Sequence, residues 1–574
     1  MAARLGGSAA RRTGRKTLRR CLTVVDEVAM LEPRMKAKSD AALESLTAEF
    51  RARVEAGEEA FGLIYEAFAA VREAARRTLG LRLYDEQVMG GAAMAMGTLA
   101  QMRESEGKTL ACVLPAYLAA LDDAPVHVMA ADDQEAEKAE RWMAPVYRAL
   151  GARTALLRPG AGQEERAAAY AADVVYGAFS QFGFDRVRDE MASEPEEVVQ
   201  PDLGTAVMDD ALVPLVMGHD VDLVISGPLP EKEAEQRARW ARMAEALSAD
   251  AGDYSYDPST RAVRLLEPGA AKLRELLETG DLRAPENAIP LALVAGALTH
   301  AEAGGDAAPG LAAATRCGVI HTAQLLHEYE TLTGVAADLE GAAEAVWREY
   351  GLAVTPIPPR RPARAGGGRI VVDPERFERQ VAVRTHLDAH RAEWAGERDT
   401  IVSGGDGVVE GVIGEFFEWA LSDLPRTCER GDLEALFARL DGAYPGSVTV
   451  EDLLEAPRRD AVAARLRDDF DEAYRRRRAE LGADVMAALE REVLLRVKDR
   501  EWRGHLDREY AFRTSLPLLG AVDDGGPEGA AFADAYEKAM AESYSQARAR
   551  VVQDCIGFIF HLEIEESDIG EAGA

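Results

Sequence analysis

Cysteine is scarce. The 574 residues contain five, at 21, 112, 317, 428 and 555, and no CxxC pair. That scatter gives no reason to expect a zinc ribbon or a disulfide framework, and it suits a reducing compartment. Aromatic residues make up only 6%, too few for a platform on which bases stack. Positive charge is short as well: 67 Lys and Arg stand against 100 Asp and Glu, a formal net charge of −33. So acidic a chain argues against nucleic acid as a partner, because phosphate contacts need Lys and Arg to displace counterions. No apolar run approaches the length of about 18 to 20 residues that crosses a bilayer. The best, residues 289–298, is interrupted by Pro290 and Gly296. Asp26 and Glu27 break the only apolar stretch near the N-terminus, so no signal peptide is expected.

What remains is a globular composition, 47% apolar and 29% charged. Residues 1–20 carry seven Lys or Arg and no acid. This basic N-terminal arm reads either as a solvated tail or as a contact for an anionic membrane surface, helped by Leu18, Cys21, Leu22 and Val25. Residues 19–78 read as helices, the first broken at Pro33. Short apolar runs at 126–130, 173–176, 205–208 and 221–225 then alternate with helical stretches. That alternation predicts a parallel sheet with covering helices. Residues 306–354 read as helical, with Leu332 to Gly334 at a helix end. Residues 355–372 are dense in Pro and Gly and read as a linker. From about 373 to 566 the pattern is long charged helices, with Leu495, Trp502 and Leu506 on one stripe.

Gly107, Lys108 and Thr109 match the close of a P-loop. The glycine admits backbone N–H groups to phosphates, the lysine reaches the outer phosphates, and the threonine hydroxyl ligates magnesium. Met102 stands where the pattern's first glycine would be, so the tripeptide alone carries little. About a hundred residues on, Asp209 and Asp210 end an apolar run. One such acid can hold magnesium and a second can orient water, though an acidic turn also ends many strands. His386 and His390, four apart on a predicted helix, have a zinc-compatible spacing but no third ligand; a solvated helix face is the plainer reading.

Larger blocks carry a resemblance. Arg82 to Gly91 is similar to the glutamine motif of the SecA family of preprotein translocase motors. Met102-Arg103 with Glu106 to Leu110, then Leu114 to Leu118, resembles its phosphate loop and following helix. Tyr176-Gly177, Phe182 to Asp185, Ile225 to Pro228 and, near the C-terminus, Val493 to Val497 with Trp502 and His505 fit the same series. The resemblance implies an α/β fold: a RecA-like P-loop lobe, plus a large α-helical scaffold. It implies that Gln87 reads adenine and that Arg103, Ser105, Glu106, Gly107, Lys108 and Thr109 bind ATP. Thr109 and Asp209 would hold magnesium, and Asp209 and Asp210 would serve catalysis. The domains would run 21–227 and 306–354 for the nucleotide-binding lobe, 228–305 for a shortened preprotein-binding-like region, 355–372 for the linker, 373–566 for the scaffold and wing, and 567–574 for a tail.

Departures qualify that expectation. Ser105 and Asp210 replace a family glycine and glutamate, and Ala521 stands where a tyrosine tips the two-helix finger. Between Gly334 and Asp373 there are fewer residues than the roughly 50 a domain needs, so the second RecA-like lobe is expected to be missing. The function implied is that of a SecA-like subunit of the Sec export machinery, binding ATP with hydrolysis impaired. Its partners would be the Sec membrane channel, preproteins and a full-length SecA. The alternative is a non-enzymatic scaffold or chaperone binding preproteins or a full-length SecA. Either would be cytoplasmic with a peripheral membrane fraction.

Overall fold

The computed structural model describes residues 2–103, 106–122, 125–219, 221–258, 262–303, 314–339, 341–360, 372, 374–404, 408–515, 518 and 530–562. The chain forms two compact units. The first comprises Met1–Met191, Glu196–Ile225 and Val319–Asp388; the second comprises Ala192–Pro195, Ser226–Gly318 and Ala389–Ala574. The strands are β1 (Leu99–Gln101), β2 (Val126–Ala130), β3 (Thr154–Leu156), β4 (Val174–Ala178), β5 (Thr205–Met208), β6 (Asp222–Pro228), β7 (Tyr254–Asp257), β8 (Ala262–Leu265), β9 (Ala314–His321), β10 (Thr331–Ala336) and β11 (Val354–Pro356). The helices used below are α1 (Ala2–Lys36), α2 (Ile64–Thr78), α3 (Asp85–Ala95), α4 (Lys108–Ala119), α5 (Pro374–Val402), α6 (Val408–Ala420), α7 (Ala483–Ser515) and α8 (Ala530–His561).

The first unit is built on a seven-stranded sheet, ordered β11-β1-β10-β5-β2-β4-β3, with every pairing parallel. Every residue of β2 and β4 is buried, as a sheet covered on both faces requires. The α/β expectation therefore holds, and among the described residues this is the one sheet of more than two strands. In the second unit, long helices dominate. Leu495, Trp502 and Leu506 are all buried on α7, as the stripe predicted, and Phe416, Leu433, Phe470 and Ile556 centre a second apolar core.

Four expectations need correction. Leu332 to Gly334 do not end a helix: they lie in β10, between β1 and β5, where Gly334 pairs with both Leu99 and Met208. Two flanking strands impose the extended backbone, which short-range propensity did not reveal. The start of the predicted linker is β11, the edge strand beside β1, and Ile357 beyond it is buried and donates its N–H to the Gln101 carbonyl at 3.0 Å. Residues 361–371 lie outside the described residues. The 228–305 region belongs to the same unit as 389–574 rather than standing alone.

The fourth correction concerns the basic arm. Residues 2–20 are the first half of α1, which passes through Pro33 to Lys36. Ala10, Gly14, Thr17, Cys21, Val24 and Val28 are buried at steps of three and four, so the face that might have met lipid packs in the core. Leu18 and Val25 are partly buried against the same core, and only Leu22 of that face is exposed. Arg11, Arg12, Arg15, Lys16, Arg19 and Arg20 point outward. Gly14 permits the close approach: a Cβ there would sit 2.2 Å from the Val354 carbonyl oxygen on β11. Gly14→Val is therefore expected to lift α1 and cost about 1–3 kcal/mol, read as a lowered urea midpoint for the first unit.

At one edge of this unit His321 is buried between two carboxylates, Nδ1 at 2.8 Å from Asp388 Oδ1 and Nε2 at 3.0 Å from Asp222 Oδ1. Burial disfavours the charged ring, but Asp222 and Asp388 outweigh it and hold the imidazole pKa above its usual value. A raised histidine pKa adds stability that is complete below the unfolded value, about 6.5, and is lost as pH rises through the folded one. Urea unfolding between pH 5.5 and 8.5 is expected to show stability declining with pH in the wild type, and a flatter profile in His321→Gln.

Candidate functional site

Because β1 and β5 are parallel and separated only by β10, the loops leaving their carboxyl ends rise side by side at one edge of the sheet, where open α/β sheets hold ligands. The loop after β1 is anchored by the Met102 N–H donating to the Ala336 carbonyl at 2.9 Å. It turns through Gly107, at φ +81°, into α4. Nine consecutive residues of α4, Leu110 to Leu118, are buried. The helix is thus fixed in the core, with its positive N-terminus facing the crest of the sheet. The loop after β5 is held by the Asp209 N–H on the Met129 carbonyl at 2.9 Å and the Ala211 N–H on the Val335 carbonyl at 2.8 Å.

The two loops meet through side chains. Thr109 Oγ1 donates to Asp209 Oδ2 at 2.7 Å, and Lys108 Nζ lies 3.6 Å from Asp210 Oδ2. Burial pushes the Asp209 carboxyl up to about 6, opposed by the Thr109 hydroxyl and the Lys108 ammonium. The Cys112 thiol, one turn along α4, also points at Asp209, Sγ to Oδ1 3.8 Å. Cys112 was not singled out from the sequence, although its three-residue step from Thr109 places both on one face. Asp210 accepts the Leu212 N–H at 3.3 Å.

Gln87 is buried. Its carbonyl oxygen accepts the Tyr84 N–H at 2.8 Å, and its Nε2 donates to the Glu106 carbonyl at 2.9 Å. In this arrangement its amide braces the loop from α3. Arg103 is exposed, and its carbonyl accepts the Glu106 N–H at 3.3 Å. Glu106 Oε2 is buried without a hydrogen-bond partner among the described residues. Ser105 lies outside the described residues. Beside this loop the Arg360 guanidinium stacks 3.4 Å from the centre of the Tyr84 ring, a pairing 276 positions apart in sequence that no local pattern signals. His386 and His390 form no metal cluster: no group of three or more ligating side chains occurs among the described residues, and His390 stacks on Tyr544 at 4.0 Å.

Oxygen donors from Thr109 and Asp209, with no soft ligand needed, suit a hard cation such as magnesium. The α4 N-terminus and Lys108 suit an anion. The site can therefore hold a magnesium–phosphate pair. Its narrowest requirement is Gly107, where a Cβ would sit 2.2 Å from Gln87 Nε2. Gly107→Ala is expected to displace Gln87 and cost about 1–3 kcal/mol, since the φ is strained for any side chain. Thermal melting measures the cost, and loss of phosphate binding would accompany it.

Residues 7–510 match the SecA DEAD-like domain. The protein translocase subunit SecA of Rubrobacter xylanophilus is 43% identical over 269 residues, covering 47% of this chain and 30% of that protein. The SecA of Pelotomaculum thermopropionicum is 40% identical over 267 residues, 46% of this chain and 30% of its own. That of Acidothermus cellulolyticus is 40% identical over 275 residues, 47% and 27%. The matched stretch thus spans less than a third of each relative's length. With residues 7–510, most of the chain, matching the domain, this protein belongs to the SecA family.

Proposed function

We propose that the first unit binds magnesium-ATP, that the protein takes part in translocating proteins with the Sec membrane channel, and that its ATP turnover is impaired. The pairing of Lys108 with Asp210 and Thr109 with Asp209 across the two loops carries this reading. Lys108 and the α4 N-terminus would take the phosphates, and Thr109 and Asp209 would hold magnesium. That cation, when bound, neutralises charge on the phosphate oxygens. Asp210 is the group that would orient water. Its carboxylate is already engaged by Lys108 and the Leu212 N–H, and its side chain is one methylene shorter than glutamate.

The number of larger sheets supports impaired turnover. Among the described residues only one sheet has more than two strands, so a second lobe that would enclose the γ-phosphate is not among them. An arginine delivered by such a lobe is worth roughly 10³ to 10⁵ in rate. The same observation supports a second reading, a scaffold or chaperone that binds preproteins or a full-length SecA, with nucleotide as a structural ligand. Both readings put the protein in the cytoplasm with a peripheral membrane fraction. No helix among the described residues is long and apolar enough to cross a membrane. The outward row of Arg11, Arg12, Arg15, Lys16, Arg19 and Arg20 supports contact with anionic lipid.

Titration calorimetry tests the proposal. Magnesium-ATP is expected to bind with a dissociation constant between about 1 μM and 1 mM, and Lys108→Ala to abolish the heat. Turnover by the isolated chain is expected below about 1 s⁻¹, the floor of ordinary enzyme rates. Equal binding by Lys108→Ala refutes the site. Faster turnover that Lys108→Ala removes refutes the impairment.

A further inference from the structure

Acids outnumber bases by 100 to 67 in this chain, yet Arg360 forms no ion pair among the described residues. Its guanidinium lies instead 3.4 Å from the centre of the Tyr84 ring. Two features hold the pair in place. Pro358 and Pro359 fix φ in the short segment that joins Arg360 to the buried Ile357. Tyr84 stands between two anchored neighbours: the buried Arg72 guanidinium donates to the Leu83 carbonyl at 2.9 Å and pairs with the Asp85 carboxylate. The Tyr84 ring itself is 45% exposed.

Strand order locates this pair relative to the phosphate loop. Along the crest the parallel strands run β5, β10, β1, β11. Asp209 and Asp210 follow β5, the phosphate loop follows β1, and Arg360 follows β11. Helix α3 leads into β1, so its Tyr84 end lies at the same crest. Gln87, one turn along α3, donates to the Glu106 carbonyl of the loop at 2.9 Å. A nucleotide with its magnesium between the loop and the two aspartates would extend its base away from β5, past Gln87 toward Arg360. A guanidinium backed by one ring offers its second face to another, and arginine stacks on bases in this way.

We propose that Arg360 is a specificity-determining residue of the nucleotide site, stacking on the base with Tyr84 behind it and favouring a purine over the smaller pyrimidine ring. This rests on the nucleotide reading above, but base and phosphate contacts are separable by experiment.

Calorimetric titration of the full chain with the magnesium salts of ATP, CTP and tripolyphosphate provides the test. The wild type is expected to bind ATP more tightly than CTP. Arg360→Ala is expected to weaken ATP about fivefold, as for a partly desolvated cation–π contact, to narrow the gap between ATP and CTP, and to leave tripolyphosphate unchanged. Arg360→Lys keeps the charge but loses the plane, and is expected to behave like Arg360→Ala. Tyr84→Ala removes the backing ring and is expected to give the same loss, with no further loss in the double variant. Circular dichroism confirms that each variant folds. Tripolyphosphate bound by the wild type and lost in Lys108→Ala upholds the phosphate site; equal ATP binding in Arg360→Ala then overturns the base contact alone. Equal weakening of ATP and tripolyphosphate, or rescue by Arg360→Lys, also overturns it, because Arg360 would then act as a charge on phosphate. Binding of neither ATP nor tripolyphosphate by the wild type overturns both readings.

Discussion

The hydrogen bond from Thr109 to Asp209 joins residues a hundred positions apart, and it exists because β10 inserts between β1 and β5. Parallel strands in that order send both loops off the same edge of the sheet, about two strand spacings, or roughly 10 Å, apart. Long side chains from a helix N-terminus then span what the backbone leaves open. Remove β10 from the order and the lysine, the threonine and the two aspartates no longer face one another. From the other side Gln87 braces the loop, bonding the Tyr84 N–H and the Glu106 carbonyl.

Electrostatics at this crest centre on the buried Asp209 carboxyl. Asp209 is buried enough that its carboxyl is pushed up to about 6, an expensive place for a lone anion. The Thr109 hydroxyl and the Lys108 ammonium offset only part of that burden. A divalent cation would supply the rest. The chemistry of the donors, rather than the loop signature alone, makes the magnesium reading coherent.

The second unit handles buried charge differently, by closing ion pairs within helices and between them. Arg237 and Asp507, both almost fully buried, pair at 2.5 Å, and Asp507 also accepts the Thr315 hydroxyl at 2.8 Å and the Arg316 N–H at 2.9 Å. Such fully partnered carboxylates tie the 226–318 segment to the long helix α7. Buried pairs of this kind add little net stability but strongly penalise misregistered packing, since breaking one strands a charge.

Residue pattern alone determined much of this protein. The alternation of short apolar runs with helical stretches gave the α/β lobe, the Leu495, Trp502 and Leu506 stripe gave a buried face of the scaffold, and Lys108, Thr109, Asp209 and Asp210, which the structure brings together, were singled out through their resemblance to SecA motifs. These are local signals, carried by side-chain period and loop chemistry. Tertiary structure decided the rest. Thr331 to Ala336 became an interior strand only because two neighbours bond it, and residues 354–356 became an edge strand only because β1 was there to pair. The basic N-terminal residues became half of a docked helix because Gly14 lets α1 reach β11. The approach of Cys112 to Asp209 and the stack of Arg360 on Tyr84 likewise depend on which elements the fold brings together. Sequence period encodes what a segment can bury; pairing across hundreds of residues determines what it buries it against.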